Sequence, residues 1–174
     1  LEAVYVGGLA EVVQRLSPQI GRFIYISSTG VYGQNDGGWV DEDSCCQPTR
    51  EGGRACLAAE QLLADSPFGR RHVCLRLAGL YGPDRVPMRA NIQWGKPIEA
   101  PLDGFLNLIH VDDAVTAVLA ALGYPYSPRT WLVSDGNPVR RRDYYLEIAR
   151  LLGVTDPQFV VPASGSTAAQ RAQS

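Results

Sequence analysis

The sequence predicts an α/β fold with a parallel β-sheet, and two observations support this prediction. First, three short runs are largely apolar and end in small or polar residues: RFIYIS (22–27), HVCLRLAG (72–79) and TWLVSD (130–135). Such continuous apolar runs are typical of strands that are buried on both faces of a sheet. Second, helical patterns alternate with these runs along the chain, which is the order of βαβ units.

Four segments have helical patterns, at residues 2–16, 54–65, 111–122 and 140–153. The first has apolar residues at helical spacing, although Gly7 and Gly8 weaken it. The second is rich in alanine and leucine, which are strong helix formers. The third begins with Asp112 and Asp113, whose negative charges suit the positive end of a helix dipole. The fourth is closed by Gly153, a residue that favours helix ends.

Two further segments bear on domain organisation. The Pro- and Gly-rich stretch 79–104 is too long for an ordinary connection, so we expect it to line a site or to carry a small substrate lobe, together with residues about 136–162. The tail 163–174 has few large apolar residues, and we expect it to be disordered. The chain begins with Leu1 and not Met, so we expect an amino-terminal portion to be missing.

Composition indicates a soluble, reduced, cytoplasmic protein with no metal site. The 174 residues fit one domain, and the net charge of −2 gives no reason to expect nucleic acid or an acidic membrane as partner. No apolar run approaches the roughly 20 residues of a membrane helix. The four cysteines form no C-x-x-C motif, and only two histidines could join them as metal ligands.

Ser27 and Ser28 follow the first apolar run, at the predicted carboxyl end of a strand. Ligands of open α/β sheets bind beyond these strand ends. A hydroxyl there can donate to a substrate oxygen and help to polarise a carbonyl group. Alternatively, the Ser-Ser-Thr-Gly sequence only turns the chain and caps backbone groups.

Four stretches resemble the extended short-chain dehydrogenase/reductase family, which includes the NAD-dependent epimerases and dehydratases. They occur in the order that the family has: RFIYISSTGVYG (22–33), LRLAGLYGP (75–83), NLIHVDDA (107–114) and LVSDGNPVRRRDYYLEIARLLG (132–153). The resemblance implies a partial Rossmann-like, doubly wound parallel sheet with a small carboxyl-terminal substrate lobe. Residues 1–162 would be the carboxyl-terminal part of this NAD(P)-binding domain.

The resemblance assigns the family's catalytic serine to Ser28, but the other catalytic positions are changed. Its tyrosine and lysine, which form a Tyr-x-x-x-Lys pair, fall on Gly52 and Cys56, and its asparagine falls on Tyr5. The sole lysine, Lys96, has isoleucine and not tyrosine four residues before it. In the family the tyrosine transfers a proton and the lysine lowers its pKa. The sequence is thus similar to an atypical branch that lacks this pair.

Several residues could substitute for the missing pair. Arg50, Glu51 and Tyr32 are near the site in sequence, although each could equally be an ordinary loop residue. Arg54 is on the same helix, but it lies two residues after the tyrosine position. This spacing places its side chain on nearly the opposite face of the helix. Cys56 near a helix start could be reactive; we favour a small buried filler.

The resemblance implies NAD or NADP as cofactor of a full-length parent. The family's Gly-x-x-Gly-x-x-Gly turn, which binds the pyrophosphate, is absent here, because Gly7-Gly8 and Gly52-Gly53 follow no strand at that spacing. We therefore expect about four strands to be missing before the first helix. The implied cofactor-binding residues are Ser27, Ser28, Leu80, Tyr81, Gly82 and Pro83. For the last three, a plain turn is an equal alternative.

Two remaining motifs are predicted to be structural. His110 resembles part of a family motif, and we expect it to be satisfied beside a helix start. The run Arg140-Arg141-Arg142 could bind phosphate, but a solvated helix face is the better interpretation.

Two functions therefore remain open. One is an NAD(P)-binding epimerase/dehydratase or reductase with an altered proton donor, acting on a nucleotide-sugar-like small molecule. The other is a non-catalytic dinucleotide-binding or regulatory protein. Whichever holds, we expect the fragment to self-associate, because the RFIYIS strand would have an open edge.

Overall fold

A computed structural model describes residues 1–34, 36–125 and 128–162. Its helical segments are a π-helical turn (Ala3–Gly7) that continues into α1 (Gly8–Arg15), a 3-10 turn (Thr29–Val31), α2 (Glu51–Ala64), α3 (Arg89–Gln93), α4 (Val111–Gly123) and α5 (Arg141–Leu152). Its strands are β1 (Phe23–Ser28), β2 (His72–Leu77), β3 (Gly79–Tyr81), β4 (Ile98–Glu99), β5 (Phe105–Leu106), β6 (Leu108–His110), β7 (Arg129–Val133), β8 (Val139–Arg140) and β9 (Phe159–Val160). The tail 163–174, for which we predict disorder, lies outside these residues.

The three predicted strands form one parallel sheet in the order β1-β2-β7. In this register Ser27 lies opposite Arg76, and Ser28 lies opposite Leu77. Helices α2 and α4 pack on the sheet, and the alternating pattern of the sequence is thereby confirmed. No other described strand pairs with the outer edge of β1. Self-association through this edge remains a prediction.

Two predicted boundaries differ from the structure. The run 72–79 does not form one strand: β2 ends at Leu77, and the chain then pairs with β6 as β3. Helix α2 begins three residues earlier than predicted, at Glu51, so Gly52 and Gly53 lie in its first turn. The first N–H groups of a helix have no intrahelical partner, so a first turn depends less on helix-forming residues.

The main apolar core lies between the sheet and α4. Strand β2 is buried along its whole length, and Val73, Leu75 and Leu77 pack there against Ala114 and Ala121 of α4. This burial on both faces is what the continuous apolar pattern of the strand predicts.

A second apolar cluster joins two distant parts of the chain. Ile92 and Ile98, from the Pro- and Gly-rich stretch, pack against Tyr145, Ile148 and Ala149 of α5. The short sheets β4-β9 and β5-β8 connect the same two regions. That this small lobe binds substrate remains a proposal. No helix in the described ranges is long and apolar enough to cross a membrane.

Candidate active site at the carboxyl end of the sheet

Ser28 is the last residue of β1, and its hydroxyl lies at the carboxyl edge of the sheet. Its Oγ accepts a hydrogen bond from the backbone N–H of Gly30 at 3.1 Å and thereby caps the 3-10 turn that follows. The turn-forming role that the sequence left open is therefore present. A serine hydroxyl that accepts one bond still carries a proton that it can donate, so the cap does not exclude a catalytic role.

Ser27 faces the opposite way and belongs to a buried polar network. Its Oγ donates to Oε1 of Glu60 on α2 at 2.5 Å. Arg76 on β2 binds the same carboxylate, through Nη2 to Oε2 at 2.8 Å and through Nε to both oxygens. Nη1 of Arg76 donates to the hydroxyl of Tyr32 at 2.9 Å. The Ser27 side chain is therefore committed to α2 and not to the outer edge of the sheet.

This network holds the segment that carries Ser28. The side chains of Glu60 and Arg76 are only 10% and 8% exposed, so their charges are nearly removed from water. Each charge would destabilise the fold without the other. Burial lowers the pKa of Arg76, but its hydrogen bonds and its attraction to Glu60 and Tyr32 exceed this effect and raise that pKa overall. Arg76 therefore stays charged, and Ser27 and Tyr32 are fixed on either side of Ser28.

A close backbone contact between α2 and the 3-10 turn also fixes the segment that carries Ser28. Gly53 of α2 lies so near Gly30 that a Cβ on Gly53 would overlap the Gly30 carbonyl oxygen. Only glycine allows the first turn of α2 to approach this closely. The family resemblance had drawn attention to Gly52, whereas Gly53 is the glycine that the packing requires.

The two positions of the missing catalytic pair lie on α2. A Cβ on Gly52 would meet only Leu1 Cδ1, at 3.8 Å, and Gly52 does not have a left-handed backbone conformation. Cys56, one turn later, is 7% exposed and packs against Val31 and Tyr32. This burial agrees with the buried-filler interpretation. Burial, and then the nearby charge of Glu60, raises the pKa of the Cys56 thiol.

Two of the candidate substitutes make no hydrogen bond to Ser28. Arg54 donates from Nη1 to the backbone carbonyl of Thr49 at 2.8 Å. The carboxylate of Glu51 is exposed to solvent in the first turn of α2.

Tyr32 is also unsuited to proton transfer. It is 6% exposed, and its hydroxyl accepts the hydrogen bond from Arg76. Burial raises the pKa of Tyr32 more than Arg76 lowers it, so the phenol stays protonated at neutral pH. Tyr32 directly follows the 3-10 turn, and its bond to Arg76 helps to hold the segment that carries Ser28.

Arg50 is the candidate that remains beside the serine. It is half-buried and is the residue immediately before α2. Its Nη2 lies 3.7 Å, and Ser28 Oγ lies 3.3 Å, from the point that a Cβ on Gly30 would occupy. Both side chains therefore reach the backbone of Gly30, next to the carboxyl end of β1.

The predicted cofactor segment Leu80–Pro83 begins in β3 and passes the same edge of the sheet. Tyr81 pairs with His110 of β6, and their rings meet edge to face at 5.2 Å. Gly82 exchanges backbone hydrogen bonds with Arg85, so a tight turn is present, as the plain-turn alternative predicts. His110 caps α4 by accepting from the N–H of Asp112, which confirms its structural role.

The arginine run near α5 is engaged with aromatic rings. The guanidinium groups of Arg140 and Arg142 lie 5.3 Å from the ring centroids of Phe105 and Phe159. Both arginines are otherwise exposed, in agreement with a solvated surface.

Sequence reasoning missed Glu60 and Arg76. One signal could have found them, because Arg76 is the only charged residue within the apolar run HVCLRLAG. A charge in a strand buried on both faces needs an opposite charge within reach. The helix one crossover earlier carries Glu60 on the face towards the sheet. No cluster of three or more potential metal ligands is found among the described residues.

Comparison with known proteins agrees with this architecture. Residues 3–133 match the sequence model of the NAD dependent epimerase/dehydratase family. The chain is 35% identical over 156 residues to Protein YeeZ of Escherichia coli K12, a match that covers 89% of this chain and 55% of YeeZ. This chain therefore spans little more than half the length of that relative.

Solved structures share the fold. A functionally unknown conserved protein from Silicibacter pomeroyi DSS is 30% identical, with a TM-score of 0.79 over 98% of this chain and 60% of its own. The UDP-glucuronic acid 4-epimerase of Bacillus cereus, solved with UDP-glucuronic acid and NAD, has a TM-score of 0.80 at 19% identity. That match covers 94% of this chain and 57% of the epimerase.

Proposed function

The chain belongs to the NAD dependent epimerase/dehydratase family, and from this premise we propose that it supplies one half of a site for NAD or NADP and for a nucleotide-sugar-like substrate. In this proposal the parent protein acts as an epimerase, dehydratase or reductase, and Ser28 is the residue of this chain that contacts the reacting oxygen. The UDP-glucuronic acid and NAD bound to the similarly folded Bacillus cereus enzyme support this choice of ligands.

The observation that carries the proposal is the support built around Ser28. The buried pair Glu60–Arg76 holds the residues on both sides of it, and α2 packs directly on Gly30. Sites that position a reacting group need such support, because small displacements reduce the rate steeply. A turn that only reversed the chain would not need a buried ion pair beneath it.

The described residues fit one end of a dinucleotide and not the other. Ser28 and the segment Leu80–Pro83 offer a hydroxyl and backbone groups at the carboxyl edge of the sheet, where the nicotinamide end would lie. In the described ranges no helix follows a strand through a glycine-rich turn, so contacts for the pyrophosphate are absent. When bound, the nicotinamide would supply or accept a hydride, and Ser28 would orient the substrate oxygen.

The alternative is a dinucleotide-binding or regulatory protein without catalytic activity. It is favoured by Gly52, which has no side chain, and by Cys56, whose thiol is buried and has a raised pKa. General acid/base catalysis typically contributes a factor of 10²–10⁴, so loss of the pair could leave binding without useful turnover.

One experiment separates the two functions. The gene product that contains this chain, with any residues encoded upstream of Leu1, is assayed for conversion of nucleotide sugars by chromatography and for net oxidation of the reduced nicotinamide by absorbance, because an epimerase or dehydratase returns the hydride within each turnover. The double variant Gly52→Tyr/Cys56→Lys places the acid/base pair on one face of α2, where a side chain at Gly52 has space. We expect turnover to rise about 100-fold, and Ser28→Ala to abolish it. Turnover by the wild type that Ser28→Ala leaves unchanged would contradict the proposed site.

A binding measurement complements this assay. Because the pyrophosphate contacts are absent, we expect the 174-residue chain alone to show no saturable NAD or NADP binding below about 1 mM, which corresponds to roughly −4 kcal/mol. Micromolar binding in a calorimeter would mean that the cofactor site has been misplaced.

A further inference from the structure

A cavity of about 200 Å³ lies on the α2 face of the sheet, apart from the candidate active site. Its floor is formed by His72, Cys74 and Arg76 of β2 and by Thr130 of β7, which lies opposite Cys74 in the parallel register. Its wall is one face of α2. Ser28 does not line this cavity, so a molecule bound there would not occupy the proposed position of the reacting oxygen.

His72 contributes a buried hydrogen-bond acceptor to the cavity. Its side chain lines the floor, the residue is only 8% exposed, and its Nδ1 lies 2.8 Å from the carbonyl oxygen of Gly69. Because a carbonyl oxygen can only accept, the neutral ring carries its proton on Nδ1, and Nε2 is left as an acceptor. Nε2 has no hydrogen-bond partner among the residues that the structure describes. A buried acceptor of this kind calls for a donor from a ligand or from water.

Two further polar groups at the cavity are uncommitted. The Thr130 hydroxyl is half-buried and makes no hydrogen bond within the described ranges. Gln61 of α2 donates from Nε2 to the carboxylate of Asp65 at 3.0 Å, so its Oε1 remains as an acceptor. The groups that wait for a partner are therefore mainly acceptors, and only the threonine hydroxyl can both donate and accept.

The charges at the cavity compensate each other. Both carboxylate oxygens of Glu60 accept from Arg76, and Oε1 also accepts from Ser27. A cationic ligand would meet the guanidinium, and an anionic ligand would meet the carboxylate, so a neutral ligand fits best. The side chains of Leu57 and Ala64 add apolar surface for its carbon atoms.

We propose that this cavity is a second small-molecule site, which binds a neutral polyol of three or four carbon atoms. One hydroxyl of the ligand donates to Nε2 of His72, and another exchanges a hydrogen bond with Thr130. The volume corresponds to roughly six or seven water molecules at about 30 Å³ each, which suits a molecule of this size. The bound polyol also contacts Glu60 and Arg76, the pair that supports the candidate active site. This inference does not depend on the proposed function.

An NMR titration of the 174-residue chain tests the proposal. The chain has only two histidines, so their ring signals can be assigned with the variant His110→Gln. Glycerol and erythritol are the probes, and 1,2-dimethoxyethane, which has no hydroxyl group, is the control compound. We expect both probes to shift the His72 signals with half-saturation below about 10 mM, and to leave those of His110 unchanged. No saturable shift of His72, an equal shift of both histidines, or an equal effect of the control compound would overturn the proposal.

The hydroxyl contact is tested with an isosteric substitution. Thr130→Val removes the hydroxyl and keeps the shape of the side chain, so glycerol affinity should fall about three- to tenfold. Thr155→Val, the matched control, changes an exposed threonine after α5 and should alter the affinity less than twofold. Equal affinities of the two variants would contradict the contact with Thr130.

Filling the cavity provides a test that leaves every polar group in place. Ala64→Leu adds apolar volume at the lining and should weaken glycerol binding at least tenfold. Ala58→Leu, the control, makes the same change at an exposed position of α2 that does not line the cavity, and should leave binding unchanged. Leucine and alanine are both strong helix formers, so both variants should fold. Full binding by Ala64→Leu would show that the polyol binds elsewhere and would overturn the proposal.

Discussion

The two faces of the central sheet differ sharply in chemistry. On the face towards α4, the side chains of β1, β2 and β7 are apolar: Ile24, Val73, Leu75, Leu77, Trp131 and Val133. On the face towards α2, the same strands carry polar side chains and thiols (Ser27, Cys74, Arg76 and Thr130) beside Tyr25 and Leu132. A cavity of about 200 Å³ opens beside the pair Glu60–Arg76 on this second face.

The difference shows how one sheet combines stability with positioning. Apolar burial on the α4 face is non-directional and contributes roughly 25 cal/mol per Å². The α2 face contributes geometry, because a buried ion pair is stable only in a near-ideal arrangement with its remaining hydrogen bonds made. The segment that carries the catalytic candidate Ser28 is held by the ion pair and hydrogen bonds of the α2 face.

The largest expected effect comes from breaking the ion pair. Arg76→Met or Glu60→Leu leaves one buried charge without a partner and should lower the free energy of unfolding by about 3–5 kcal/mol. The double variant should lose less than either single variant, since no charge is then left alone. Urea denaturation of all three measures this, and additive losses would show that the pair does not act as a unit.

On the α4 face, the effect of a substitution on the free energy of unfolding should depend only on the change in side-chain volume. Leu75 is fully buried, so Leu75→Ala should cost about 2–5 kcal/mol, and Leu75→Met, which keeps the volume, less than about 1.5 kcal/mol. The same urea titration provides the numbers. If Leu75→Met were as damaging as Leu75→Ala, the α4 face would be as geometrically demanding as the α2 face.

Alanine substitutions at the two glycines of α2 should distinguish the effect of close packing on stability from that of helix propensity. Gly53→Ala forces Cβ against the Gly30 carbonyl and should destabilise the protein by about 1–3 kcal/mol. Gly52→Ala, its neighbour with open space, should instead stabilise it by up to about 1 kcal/mol. Thermal melts of the two variants should therefore shift in opposite directions; a shift in the same direction would contradict the close contact.

The smallest expected effect is a pH dependence of the α2 face. Burial, and then the charge of Glu60, raise the pKa of Cys74 far above its ordinary value of 9.0. A raised folded-state pKa gives stability that is present below 9.0 and lost as the pH rises above it, about 1.4 kcal/mol at pH 10. Cys74→Ala should therefore flatten the decline in stability between pH 8 and about 10. Cys45→Ala, at an exposed thiol, should leave the decline unchanged, and equal curves for both would refute this cause.

Much of the fold could be predicted, because the signals are local. Apolar runs at 22–27, 72–79 and 130–135 indicated the three parallel strands, and their alternation with helices indicated the connections. Boundaries could not be predicted in the same way: the first turn of α2 packs Gly53 against Gly30 of the 3-10 turn, a contact that no local pattern reveals.

By itself the sequence determined the family resemblance, Ser28 at a strand end, and the absence of any Tyr-x-x-x-Lys, since these depend on residue types and spacing alone. Only the tertiary structure decided which polar groups are engaged. Glu60 and Arg76 are 16 residues apart and meet because α2 lies across β2. The same packing brings Arg76 to the hydroxyl of Tyr32. Whether a charge is paired or free for a ligand depends on distances in space, and those follow from how helix and sheet are packed.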